Sequence, residues 1–420
     1  MPIRKILLAA LLGCLASNAV LAATQPPALL RLVEQVLEEH PAVRAAAADL
    51  AAAEAAADAA SRPLYNPELE LDTEQTAANA TYLGLSQTID WGGKRKARKD
   101  IGNHEKEAAR AALALARLDV ARRLLEGLNA YHTAAATSRL ARRRVALLED
   151  FLRLARQRFS AGDVGRSDVD LARLSLSESR MAAAEQASRL AAADAELRTL
   201  VLSPPPQWPA LASLPPPLAE APVDEALLAA HPRLRQARAR AGAGRAGMAL
   251  ARKSRRPDPT VGVRGGRDDE DTLLGLTLTL PLFVRNDFRA EVRAAAATAR
   301  SGEERLRDVR RNLRAAMEAA ASRYRLIRAA LEDWEREGSA SLRGRVDLLR
   351  RLWESGEINT IDYLVQLQQT LDTEQAAQSL RGAAWDAWLA WLTASAQVEQ
   401  WLGIGTKHGA SVHGAVVRGE

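Results

Sequence analysis

Two hydrophobic periods run along this chain, and each occurs twice. Between Thr272 and Leu282, Leu274, Leu276, Leu278, Leu280 and Leu282 share one parity while Gly275, Thr277 and Thr279 share the other. This is the two-residue period of a strand with one apolar and one small polar face. Leu83, Leu85 and Ile89 set against Gly84, Ser86 and Thr88 repeat the pattern earlier, with Gln87 interrupting the apolar side. A second alternating segment precedes each, Glu68-Leu69-Glu70-Leu71-Asp72 and Thr260-Val261-Gly262-Val263-Arg264. The alternation predicts strands at about 68–75, 81–91, 260–267 and 272–283. After each pair the period lengthens to seven, through Leu140, Leu147 and Leu154 and through Leu306, Leu313, Ala320, Ile327 and Trp334, which implies helices supercoiled left-handedly on neighbours. These helical stretches, 98–160 and 288–353, would each span roughly 95 Å at 1.5 Å per residue. Turns at Gly162 and Gly356 fold each one back into a second long helix.

The two halves are copies. Leu37-Glu38-Glu39-His40-Pro41 returns as Leu228-Ala229-Ala230-His231-Pro232, 191 positions on, and the Gly162 turn returns at Gly356, 194 positions on. A period this long marks a duplicated half-protein rather than a solenoid. The first repeat is expected over 23–210 and the second over 222–402. A Pro-rich linker at 203–222, from Pro204-Pro205-Pro206 to Pro215-Pro216-Pro217, overlaps the junction, and a Gly-rich flexible tail follows at 403–420.

Strands of this kind fit either a half-buried soluble sheet or a lipid-embedded barrel with a wet interior. The N-terminus weighs toward the second: Arg4-Lys5, an apolar stretch and an Ala-rich site near Ala22 read as a secretory signal over residues 1–22. Four strands cannot close a barrel, and open edges are not tolerated in lipid, so this reading requires several chains per barrel. The only cysteine, Cys14, lies within the signal. Leu11-Leu12-Gly13-Cys14 approximates a lipidation motif that Leu12 fits poorly, and an ordinary cleavage site lies downstream, so simple cleavage near Ala22 is the first expectation and Cys14 as a lipid anchor the alternative. The net charge of +6 is a small excess with Arg, Glu and Asp interspersed along helices, which describes solvated faces and no nucleic-acid footprint. His40 and His231 begin matching helices, His104 and His132 stand alone, and His408 and His413 fall in the tail. Neither histidines nor methionines cluster as metal ligands, no nucleophile–base constellation is visible, and Trp385, Trp388 and Trp391 read as packing residues. The sequence therefore predicts no enzyme, no cofactor and no metal site.

Several strings, in this order, resemble the TolC-type outer-membrane factors of tripartite efflux systems, in the cobalt-zinc-cadmium branch: Glu39-His40-Pro41, Pro63-Leu64-Tyr65-Asn66-Pro67, Leu83-Gly84-Leu85-Ser86-Gln87 running into Trp91-Gly92-Gly93-Lys94-Arg95, Arg256-Pro257-Asp258-Pro259, and Gly275 through Arg285-Asn286. Phe288 departs from the branch, which often has Gly there. The resemblance implies a mainly α protein with a transmembrane β-barrel. In it a homotrimer gives four strands per chain to a 12-stranded barrel, continued by a periplasmic α-helical tube. It implies a cell outer membrane location among outer-membrane lipid. It also implies a conduit without an active site, partnered by a periplasmic adaptor and an inner-membrane resistance-nodulation-division pump, carrying divalent heavy-metal cations. Channels for drugs or for type I protein secretion share this fold and remain open alternatives, as does, more remotely, a periplasmic coiled-coil adaptor.

In such a family the hairpin turns form the tip where the adaptor docks. Here these are Gly162, Asp163, Val164, Gly165, Arg166 and Ser167, and Gly356, Glu357, Ile358, Asn359 and Thr360. Simple helix punctuation, with Ser167 and Thr360 as caps, explains the same residues. Asp362 matches the first acid of a ring that constricts the tip in relatives, with Val365 where some place a second acid. Asp168 holds the equivalent place in the first repeat. Favourable interaction with the helix dipole also accounts for both. The acidic run Asp268-Asp269-Glu270-Asp271 is expected in an outer loop. Lys94-Arg95-Lys96 and Arg98-Lys99 follow strand two as a lipid contact or a solvated helix start.

Overall fold

The structure, a computed structural model, describes residues 26–75, 79–215, 217–218, 223–268, 271–342 and 344–404. The signal segment, Cys14, Asp269, Glu270, His408, His413 and nearly all of the expected tail lie outside them. The elements run α1 (Pro27–Glu39), α2 (Pro41–Ser61), β1 (Glu68–Gln75), β2 (Asn79–Thr88), α3 (Lys94–Ala161), α4 (Arg166–Leu200), α5 (Glu225–Ala230), α6 (Pro232–Ser254), β3 (Thr260–Asp268), β4 (Asp271–Thr279), α7 (Arg289–Asp333), α8 (Ser339–Leu342), α9 (Arg345–Glu354), α10 (Thr360–Ala394) and α11 (Val398–Leu402). The duplicated order of helix, two strands and long hairpin is thus present. The chain forms two compact units, one of residues 44–116 and 224–314, the other of the remainder.

In the first unit the strands form one antiparallel sheet in the order β1-β2-β3-β4. Leu69, Leu85, Val263 and Leu276 make one cross-strand row, and Leu71, Leu83, Gly265 and Leu274 the next. The intervening row on the opposite face is Glu70, Gly84, Arg264 and Gly275. Alternation in the sequence has become two chemically different faces. β2 and β4 end at Thr88 and Thr279, short of the 91 and 283 read from the alternation. Pro281 has no N–H for a ladder, and Asp90 leaves the strand to cap α3, accepting from the amides of Lys94 (2.9 Å) and Arg95 (2.7 Å).

In the second unit, α3 from residue 117 onward and α4 form the first helical hairpin, and α9 and α10 close the second. The heptads needed correction. Leu140, Leu147 and Leu154 sit on the flank, while Ala141, Leu148 and Ala155, one position on, are buried. In α7 the buried series is Met317, Tyr324 and Leu331; of the expected set Leu313 is buried as well, while Leu306, Ala320, Ile327 and Trp334 are half-buried. Both sets repeat every seven residues, so the period is visible in sequence while the choice between adjacent stripes depends on what packs there.

The continuous helix expected over 288–353 is also broken. A π-helical turn, Trp334–Gly338, follows α7, and Gly344 adopts a left-handed φ of 72° before α9. A Cβ on Gly338 would lie 2.2 Å from Cε3 of Trp334, so only glycine lets that ring fold over the widened turn. Residues of the linker lie against the helices through proline carbonyls. His132 Nε2 is 2.8 Å from the Pro209 oxygen, and Tyr324 and Arg328 both donate to the Pro215 oxygen. Trp388, fully buried, packs against Tyr324 at 5.0 Å and Trp401 at 6.4 Å.

Candidate functional site

The sheet is the first candidate surface. Its apolar face is uncovered: Leu71 is 70%, Leu276 85% and Leu278 73% exposed. β1 and β4 each lack a ladder partner on their outer side among the described residues. Exposed leucines and free edges together are what water disfavours most in a sheet. On the other face, Arg264 lies over the Tyr82 ring at 5.8 Å and close above Gly275, and the Glu70 carboxylate leans toward Gly84. Ser86, Thr88, Gly262, Thr277 and Thr279 on this face are small and polar, and Glu68, Asp72 and Leu273 share it.

Beneath the sheet, residues from both repeats meet. Asp258, nearly buried, accepts from the Tyr65 hydroxyl at 2.7 Å and from Lys94 Nζ at 2.8 Å. Lys94 is therefore an internal ion-pair partner, neither a lipid contact nor a solvated helix start. The hydrogen bond to Asp258, then burial, pushes the Tyr65 phenol up to about 12. Partial burial pushes the Asp90 carboxyl up, but the amides of Arg95 and Lys94 outweigh it and hold the group below the usual carboxylate range.

At the hairpin tips, Gly162 (φ 86°) and Gly356 (φ 78°) end their helices in the left-handed region. Asp163 N donates to the Arg158 oxygen at 2.9 Å and Glu357 N to the Leu352 oxygen at 2.8 Å, which satisfies the last carbonyls. The caps of the returning helices are Gly165 and Asn359, not Ser167 and Thr360. The Asp168 carboxylate accepts from the Gly165 amide at 3.0 Å, and Asn359 Nδ2 donates to the Asp362 carboxylate at 2.9 Å. Thr360, expected at the docking face, is 3% exposed, and its hydroxyl accepts from Trp353 Nε1 at 3.2 Å. Gly162, Asp163, Gly165, Arg166, Ser167, Gly356, Glu357, Asn359 and Asp362 are exposed, while Val164, Asp168 and Ile358 are half-buried.

The two tips are joined by residues that the sequence reading missed. Arg158 donates to the Trp353 oxygen at 2.7 Å and lies 4.8 Å over its ring. Phe151 stacks on Tyr363 at 4.6 Å and meets Trp353 at 4.7 Å. No shared motif or spacing pairs Arg158 with Trp353 in the linear chain. Among the described residues there is no group of three or more His, Cys, Asp or Glu that could hold a metal ion, and no helix is long and apolar enough to cross a membrane.

Residues 32–201 and 224–403 match the outer membrane efflux protein family. The chain belongs to that family. As an outer membrane efflux protein it resides in the outer membrane, and the match covers most of both repeats. It is 27% identical over 234 residues to the cobalt-zinc-cadmium resistance protein CzcC of Cupriavidus metallidurans, spanning 54% of this chain and 56% of that protein. It is 28% identical over 335 residues to the nickel-cobalt-cadmium resistance protein NccC of Alcaligenes xylosoxydans xylosoxydans, across 73% and 72% of the two chains. Its fold is similar to that of the Campylobacter jejuni outer membrane channel CmeC, with a TM-score of 0.74 and 15% identity over 88% of this chain and 85% of that one.

Proposed function

We propose that this outer membrane efflux protein is the exit channel of a tripartite resistance-nodulation-division system that carries divalent heavy-metal cations out of the cell. The observation that carries the channel reading is the sheet with exposed leucines on one face, small polar residues on the other and two unpaired edges. Three copies, joined β4 to β1, would close a twelve-stranded barrel that places the leucines in lipid and the Thr, Ser and Gly face around water. The metal cargo is supported by the names of the two resistance relatives.

In this reading residues 1–22 direct export and residues 203–222 link the repeats; were Cys14 lipidated instead, it would begin the mature chain. Helix ends at Gly162 through Ser167 and at Gly356 through Asn359 dock the periplasmic adaptor. Asp362, and secondarily Asp168, ring the aperture at the tip; three like charges there would favour cations and resist close approach. A deletion strain should lose resistance to zinc, cobalt and cadmium and recover it with the wild-type gene, and Asp362→Ala should change the level of rescue. Sensitivity confined to drugs or detergents would move the cargo to small organic molecules and overturn the metal assignment.

A further inference from the structure

All four chain crossings between strands and helices lie at one end of the sheet: the end of α2, the start of α3, the end of α6 and the segment before α7. The apolar alternation runs past the last ladder residues into this region. Ile89 and Trp91 are 47% and 61% exposed, and Leu282 and Val284 are 74% and 86% exposed. Immediately beyond, the chemistry changes sign. Arg62, Lys96, Arg256 and Arg285 are exposed and make no ion pair among the described residues. Of the carboxylates in the same belt, Asp90 is engaged by two backbone amides, Asp258 by Lys94 and Tyr65, and Asp287 by Arg289, while Glu68 at the start of β1 and Asp58 in the last turn of α2 are exposed and make no ion pair among the described residues, so the basic groups outnumber the free acids there. Leucines, then tryptophan and valine, then unpaired guanidinium and ammonium groups follow one another within a few residues on two separate crossings. That profile matches the passage from acyl chains through the interface to headgroups.

We propose that this belt binds the anionic headgroups of phospholipid in the periplasmic leaflet of the outer membrane. Arg62, Lys96, Arg256 and Arg285 meet the phosphates, while Trp91 and Val284 sit at the base of the acyl region. This rests on the channel reading above and names the lipid class that reading leaves open. The basic groups are spread over four segments, so no single loop carries the recognition, and the attraction is a surface one that salt screens.

The test is electron paramagnetic resonance on the full-length protein in phosphatidylcholine vesicles doped with spin-labelled phosphatidylglycerol or spin-labelled phosphatidylcholine. The wild type should hold phosphatidylglycerol at least about threefold more tightly at low ionic strength, and the preference should fade by about 1 M salt. The triple variant Lys96→Gln, Arg256→Gln, Arg285→Gln should show near-equal association, and Arg285→Gln alone, in an irregular segment, a partial loss. Equal association of both lipids with the wild type, or a triple variant that keeps the full preference, overturns the proposal. Flotation of the vesicles separates the two readings. A protein that fails to enter the bilayer defeats the channel itself, whereas one that enters without preference defeats this inference alone.

Discussion

Lys94 and Asp258 belong to different repeats, and each is buried only because the other is there, with side chains 12% and 4% exposed. Removing one charge of such a pair strands the other, so Lys94→Met should destabilise the protein by about 3–5 kcal/mol. Adding Asp258→Leu should recover much of that loss, as read from denaturation midpoints of the purified protein. Burial pushes the Tyr363 and Tyr324 phenols up to about 12 from an ordinary 10.0. Their raised values mean that the stabilisation is complete below pH 10 and lost as pH climbs through about 12. Tyrosinate absorbance should therefore develop late for these side chains and coincide with loosening of the hairpins; ionisation at the ordinary pH would sink the assignment. At this scale the sequence was partly legible. The Tyr65-Asn66-Pro67 and Asp258-Pro259 strings marked positions that meet in the fold. The Arg158–Trp353 contact was not legible, because it depends on how two hairpins pack and leaves no local pattern.

Elements were more legible than contacts, since a period survives in one dimension where a contact does not. Both strand pairs and the first long hairpin stand where alternation and seven-residue repeats indicate, whereas the helix expected over 288–353 is interrupted at Trp334–Gly338 and Gly344, and strand ends depend on details the period does not carry, such as Pro281 and the diversion of Asp90 into a cap. The two faces of the sheet give a direct test. Leu276→Arg on the exposed apolar face should cost about 2–4 kcal/mol near the middle of a bilayer and abolish stable insertion. Thr277→Arg, one residue away on the opposite face, should insert normally; outer-membrane fractionation distinguishes them. The interrupted second hairpin gives another. Gly338→Ala should cost about 1–3 kcal/mol, because its methyl would collide with the Trp334 ring. Trp334→Ala in the same chain should remove most of that penalty, giving a coupling that a double-mutant cycle measures.

For the whole molecule, one chain supplies four strands with two free edges, so closure must come from other copies. Cross-linking of the protein in native outer membranes should yield a species of three chains and no ladder beyond it, since closed rotational symmetry leaves no edge to extend. The duplication has a further consequence. His40 and His231 are 191 positions apart, but Gly162 and Gly356 are 194 apart. Between those landmarks the second copy is three residues longer than the first. Inserted into an unbroken helix, three residues would lengthen it by about 4.5 Å and swing everything after them by about 300°. The π-helical turn at Trp334–Gly338 and the left-handed Gly344 fall inside this interval, and a wide turn takes up residues without an equal gain in length. The surplus is thus swallowed before the tip, and Trp353 still arrives opposite Arg158. The longer copy carries a local bulge in one arm, and the two unequal copies end in step.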